Sequence, residues 1–198
     1  MIDFIDAGLA AALRERDVAA ELARHFPDRD KVLVRAVADA IAPFLIGLVE
    51  ALRFLMRAAH DSRAGRAVAF ANGQILGYLL DDRDLLSEQK LGVLGLLDDA
   101  YLVHHHVAEL IAQYPWLDTY GMDYAVPAPA AFETVSRLLP EGVAAALERT
   151  SRSVVGIAAG LIGTQPGTVV ASELAGPIDP QRVPPPPRLR LDDPHRST

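Results

Sequence analysis

Apolar side chains return every three or four positions along most of this chain, the spacing of α-helices that each bury one face. Ile2, Ile5, Leu9, Leu13, Val18 and Leu22 follow it over residues 2–25, as one amphipathic helix or a broken pair. Pro27 and Asp28 end that stretch, and Asp28 or Asp30 is placed to cap the next helix. Over residues 31–60 the apolar positions Val34, Val37, Ile41, Phe44, Leu45, Leu48, Leu52, Leu55 and Met56 cover more than one face. Such a helix belongs in the middle of a bundle, with Pro43 predicting a kink or a division.

Asp61, Ser62 and Arg63 break this element, and a further helix is expected over residues 64–80. Its small residues Gly65, Ala67, Ala69, Ala71, Gly73 and Gly77 predict close packing against a neighbour. After an acidic turn at Asp81-Asp82-Arg83-Asp84, Ser87 can cap a helix opening at Glu88. Leu91, Leu94, Leu97, Tyr101, Ala108 and Ile111 carry that pattern to Pro115. Residues 115–130 read as an ordered aromatic loop around Trp116, Tyr120 and Tyr124. A helix pair is expected over 130–139 and 141–162, with Pro140 in a first turn. No strand alternation and no repeat is visible. The expected fold is all-α, a compact bundle of about five to seven helices over residues 1–163.

From residue 164 the pattern stops. Pro166, Pro177, Pro180, the run 184–187 and Pro194 occur among few large apolar side chains. That composition cannot offset the entropy of ordering, so residues 164–198 are expected to form a disordered, proline-rich tail. Pro184 to Pro187 followed by Arg188 has the form of a polyproline ligand, which makes Pro185 and Arg188 candidate partner-binding residues. A solvated terminus is the plainer alternative.

Composition narrows the function classes. With 51% hydrophobic and 23% charged residues the 198-residue chain has the balance of a folded domain. A formal charge of -7 without a basic cluster argues against nucleic acid as a partner. The absence of cysteine excludes disulfides, thiolate zinc sites and cysteine nucleophiles, and fits a cytoplasmic setting. Asp3 and Asp6 stand where a signal peptide needs basic residues. The most apolar stretch, residues 41–56, holds Pro43, Glu50 and Arg53 and falls short of the ~20 residues that span a bilayer.

The segment from Gly77 to Ala100 stands out because adjacent aspartates follow a run of leucines and glycines. Aspartate is a poor helix-interior residue, by roughly 0.5–0.7 kcal/mol relative to alanine. Beside apolar neighbours its carboxylate needs a partner: an arginine, a capping role or a cation. Tyr78, Asp84, Leu85, Gly95, Leu97, Asp98 and Asp99 together resemble the signature of the YkvA-like family, small helical bacterial proteins without an assigned activity. The resemblance covers about residues 77–103. It departs from the family pattern at Asp82, where a proline is expected, and at Ser87-Glu88, which replace a Pro-Asp pair. It implies a helical hairpin rather than a mechanism.

Asp84, Asp98 and Asp99 are the candidate ligands for a divalent cation such as Mg²⁺. Against them, Asp98 and Asp99 point about 100° apart on a helix, and Asp98 can equally cap a helix or pair with Arg53, Arg57 or Arg66. His104, His105 and His106 fan too widely to ligate one ion, so a polar patch between helices is expected there. Asp98, His105 and Glu109 share a face, but Asp98 and His105 lie about 10 Å apart along its axis. Gly156 and Gly160 predict close helix packing. Trp116 and Tyr120 are candidate partner-binding anchors, or aromatics that seal the bundle. No cofactor and no catalytic constellation is read. The expected function is that of a non-enzymatic accessory protein engaging a protein partner through its surface or tail. The alternatives are a metal-dependent hydrolase using the aspartates, and a peripheral membrane protein using residues 154–162.

Overall fold

The computed structural model describes residues 17–60, 65–79, 86, 88–120 and 124–161, without the side chains of 88, 89, 119, 120 and 161. It contains helices α1 (Val18–His25), α2 (Lys31–Ala59), α3 (Gly65–Leu79), the single turn α4 (Glu88–Leu91), α5 (Leu97–Gln113), α6 (Pro129–Leu138) and α7 (Val143–Leu161). Two 3₁₀ segments, Gly92–Leu96 and Pro115–Tyr120, flank α5. The described residues contain no strand, so the all-α expectation holds.

Local chemistry explains most of the boundaries. Asp17 caps α1 by accepting from the Ala19 N–H at 2.9 Å and the Ala20 N–H at 3.2 Å. Asp30 caps α2 in the same way through the Val32 N–H at 2.9 Å. Each such cap contributes about 1 kcal/mol. Pro43 does not divide α2, which runs unbroken through it for 29 residues. A helix-interior proline costs about 3 kcal/mol. Here it lies on the exposed side, where water can serve the freed Asp39 carbonyl, while Ile41, Phe44, Leu45 and Leu48 are buried on the opposite side. At about 1.5–3 kcal/mol per buried large apolar side chain, the burial outweighs the proline.

That continuity changes the membrane argument. At 29 residues and a mean hydropathy of 2.1 over its most apolar window, α2 is long and apolar enough to cross a bilayer. Its buried residues, from Val34 through Phe54 and Leu55 to Ala58, instead make it a core helix of the bundle.

Pro140 is a second correction. Leu139 is extended (ψ 151°), as the residue before a proline tends to be, so α6 ends there. The chain turns through Gly142 (φ 80°) and α7 begins only at Val143. The proline that opens a helix is Pro129, at the start of α6.

α5 is the central element. It packs most extensively on α7 and then on α2, and it also touches α3, α6 and both 3₁₀ segments. Tyr101, Leu102, Val103, Val107 and Leu110 are buried around its circumference. Phe44 and Phe132 close on Tyr101 with ring centroids 6.4 and 5.7 Å away. A helix buried on every side must also bury whatever polar residues it carries.

The small residues divide by position. Ala67 and Ala71 of α3 are buried as expected. Gly73 and Gly77, and likewise Gly156 and Gly160 of α7, face open space in which an added Cβ would meet nothing within 4 Å. The expected close packing at these glycines is therefore not found.

Candidate functional site

The chemistry of the described molecule is concentrated along α5. His104 and His106, two positions apart, enter different seams of the bundle and both are completely buried. The His104 Nε2 lies 2.7 Å from the Phe44 carbonyl oxygen of α2. A carbonyl only accepts, so Nε2 carries the proton and Nδ1 is the acceptor for the Tyr124 hydroxyl, 2.6 Å away. Gly47 makes this approach possible: a Cβ there would stand 3.2 Å from the His104 Cε1. Burial pulls the His104 pKa down to about 4, opposed by the Phe44 carbonyl, and burial raises that of the Tyr124 phenol.

His106 heads a second chain. Asn72 of α3 donates its Nδ2–H to the Leu55 carbonyl of α2, which leaves its Oδ1 to accept from His106 Nε2–H at 3.2 Å. His106 Nδ1 then accepts from the Ser151 hydroxyl of α7 at 3.5 Å. Burial, assisted by neighbouring His105, lowers the His106 pKa to about 3. One polar line thus ties α2, α3, α5 and α7 together.

Serine, histidine and asparagine in one line invite comparison with a hydrolytic triad. Such a triad turns Nε2 to the nucleophile and Nδ1 to the orienting group; here the nitrogens are reversed. Ser151 and His106 also have no exposed surface. The geometry suits positioning of helices more than attack on a substrate.

His105 faces the other way, partly buried in a seam between α5 and α7. Its Nδ1 lies 3.8 Å from Glu109 Oε1. Arg152 of α7 bridges the seam, with Nε donating to Glu109 at 3.2 Å and Nη2 to Glu148 at 2.7 Å. Tyr101 donates its hydroxyl to the second Glu148 oxygen at 2.7 Å. Burial lowers the His105 pKa against the opposing pull of Glu109 and Glu148. The position a cation would take between these carboxylates is held by a guanidinium.

Of the three aspartates the sequence singled out, Asp98 makes a buried contact with the backbone. Asp98 is 1% exposed, and its Oδ2 accepts from the Leu86 N–H at 3.2 Å, twelve residues earlier. It lies in the first turn of α5 without capping it, and a carboxylate is favoured at that end of the helix dipole. Asp99 is partly buried on the adjoining face, and Asp84 lies outside the described residues. Among the described residues no group of three or more histidine, cysteine, aspartate or glutamate side chains is placed to hold a metal ion.

A second carboxylate holds the same segment from the other side. Glu21 of α1, 6% exposed, accepts from the Val93 N–H at 2.8 Å. Gly92 beside it adopts φ 61°, and a Cβ there would come within 2.6 Å of Glu21 Oε2. Asp98 and Glu21 therefore brace the entry to α5 at Leu86 and Val93. The sequence reading missed Glu21, whose amphipathic helix offers no local sign of a partner 72 residues away.

Trp116 is partly buried, packed on the core and 5.4 Å from the Tyr114 ring. The side chain of Tyr120, together with Pro185 and Arg188, lies outside what is described. Val154, Val155 and Ala158 of α7 turn into the bundle. Arg152, Ser153, Gly156 and Gly160 form its outer side, which is not the apolar face that membrane attachment through residues 154–162 requires.

The outer side of α2 is different. Val32, Ala36, Ala40, Pro43 and Ile46 recur along it at helical spacing and are exposed, Val32 by 76% and Ile46 by 41%. Arg35 and Asp39 pair with each other along the stripe at 3.0 Å. Comparison with protein-family models, with curated proteins and with solved structures finds no match for this chain.

Proposed function

We propose that this chain is a non-enzymatic helical accessory protein that acts by engaging a protein partner. The observation that carries the reading is the outer side of α2, where apolar side chains project from a helix whose inner side is already in the core. Removing Val32 and Ile46 from water is worth about 25 cal/mol per Å² of apolar surface, and Ala36 and Ala40 allow close approach. The partner that fits is an amphipathic helix laid along the stripe. A cytoplasmic setting, a YkvA-like relationship and a second contact through Pro185 and Arg188 belong to the same proposal, supported by the sequence features that suggested them.

A hydrolase reading is less favoured. Asp98 is committed to the Leu86 N–H, and both buried histidines use both ring nitrogens in interhelix hydrogen bonds.

Photo-crosslinking from positions 36 and 43 in cells tests the interaction. The expected result is one recurring protein adduct from both positions, lost in a Val32→Asp/Ile46→Asp variant that keeps its helical content and Tm. Adducts unchanged by the variant, or none from either position, would remove the α2 surface from consideration.

A further inference from the structure

We propose that Ala125 to Ala130, the segment that leads into α6, is a ligand for a protein groove lined with aromatic side chains, and that the bundle presents it already in the polyproline II conformation. The surface is separate from the outer side of α2, and here the chain supplies the ligand instead of the seat.

Backbone chemistry fixes the conformation. Pro127 and Pro129 each hold φ near about −65°, and each excludes the helical region for the residue before it, Val126 and Ala128. Ala128 shows the result: its φ of −62° and ψ of 149° lie close to the polyproline II values of about −75° and +145°. No cis peptide bond occurs among the described residues, and residues 124–128 form no helix, strand or turn. The Ala125, Val126 and Pro127 carbonyls accept no hydrogen bond from the described residues. A polyproline II stretch leaves its backbone groups to water or to a partner in this way.

Both ends are fastened to the core. Tyr124, 8% exposed, donates its hydroxyl to His104 Nδ1 at 2.6 Å. At the other end the Phe132 ring stands edge-on to Phe44, with centroids 5.3 Å apart. Folding has therefore already met much of the ordering cost that a free peptide meets on docking.

What the segment shows to solvent is apolar. Ala125, Val126, Ala128, Pro129 and Ala130 are exposed and Pro127 is partly buried. With three residues per turn, Val126 and Pro129 share one edge about 9 Å apart. No charge occurs from Tyr124 to Phe132, and Glu133, the first acid after them, is paired with Arg137. The partner that fits is a groove whose tyrosine and tryptophan rings pack on Val126 and Pro129, while their hydroxyl and indole N–H groups donate to the free carbonyls.

The test titrates purified full-length protein against an array of SH3 and WW domains, whose grooves are of this kind. Saturable binding to at least one of them is expected, weakened at least about tenfold by Val126→Asp and by Pro127→Ala/Pro129→Ala. Helical content and Tm confirm that each variant stays folded. A Pro185→Ala/Pro186→Ala variant separates this segment from the proline run at residues 184–187 and should bind as the unaltered protein does. Saturable binding to none of the domains, or binding that survives Val126→Asp, overturns the proposal. Loss of binding with Pro185→Ala/Pro186→Ala overturns it too and moves the ligand to residues 184–187. Only purified components are used, so the result is independent of the crosslinks expected from α2.

Discussion

The centre of the bundle and the outer sides of α3 and α7 use polar and small residues in opposite ways. Around α5, His104, His106, Asn72, Ser151 and Tyr124 are buried and joined in two hydrogen-bonded lines. On the outer sides, Gly73, Gly77, Gly156 and Gly160 touch nothing where a side chain would stand. Burial makes the first group consequential, because a polar atom that loses its partner there has no water to replace it. Exposure makes the second group nearly free to change. Sequence position hides the contrast: His105, between two fully buried histidines, is only partly buried and lies beside Glu109, which Arg152 also holds.

The sharpest way to break the comparison is acid. His104 and His106 have folded pKa values of about 4 and about 3, below the ordinary 6.5, so between these limits the unfolded chain binds the protons. Stability from this source is complete above pH 6.5 and is lost as pH falls toward 4. His104 alone contributes a loss on the order of 3 kcal/mol. Urea unfolding followed from pH 7 to 4.5 should show the decline, and a His104→Gln/His106→Gln variant should show a flatter one. Matching profiles would mean that these imidazoles are not held neutral.

Gly92→Ala comes next, at about 2–3 kcal/mol, because it forces a side chain into φ 61° and against Glu21. Combining it with Glu21→Ala should cost less than the sum of the two single changes, as expected for groups in contact. Strict additivity would break the proposed brace. Tyr124→Phe should cost about 1–2 kcal/mol by leaving His104 Nδ1 without its donor, while leaving the ring packing in place. A neutral result would show that the hydroxyl bond contributes little beside the packing of the ring on Phe54.

The smallest expected effect has the opposite sign. Gly73→Ala and Gly156→Ala should each stabilise by about 0.5–1 kcal/mol, since helix propensity improves and nothing is displaced. A loss in Tm at either position would show that the glycine is needed for close approach by another surface.

The sequence alone determined the helical class, because apolar spacing of three and four residues persists from Val18 to Ala158 and helix formation depends on near neighbours. It also offered Asp28 or Asp30 as the cap of α2, and the structure takes Asp30, whereas the Asp17 cap of α1, which acts within three residues, was not read from it. It singled out Asp98 as a carboxylate in need of a partner without indicating which one. Only the tertiary structure selected the Leu86 N–H for Asp98, the Val93 N–H for Glu21 and the Phe44 carbonyl for His104. It alone carried α2 through Pro43 and left Gly73, Gly77, Gly156 and Gly160 facing open space. These outcomes depend on which surfaces meet across 12 to 72 residues of chain, and local spacing carries no record of that.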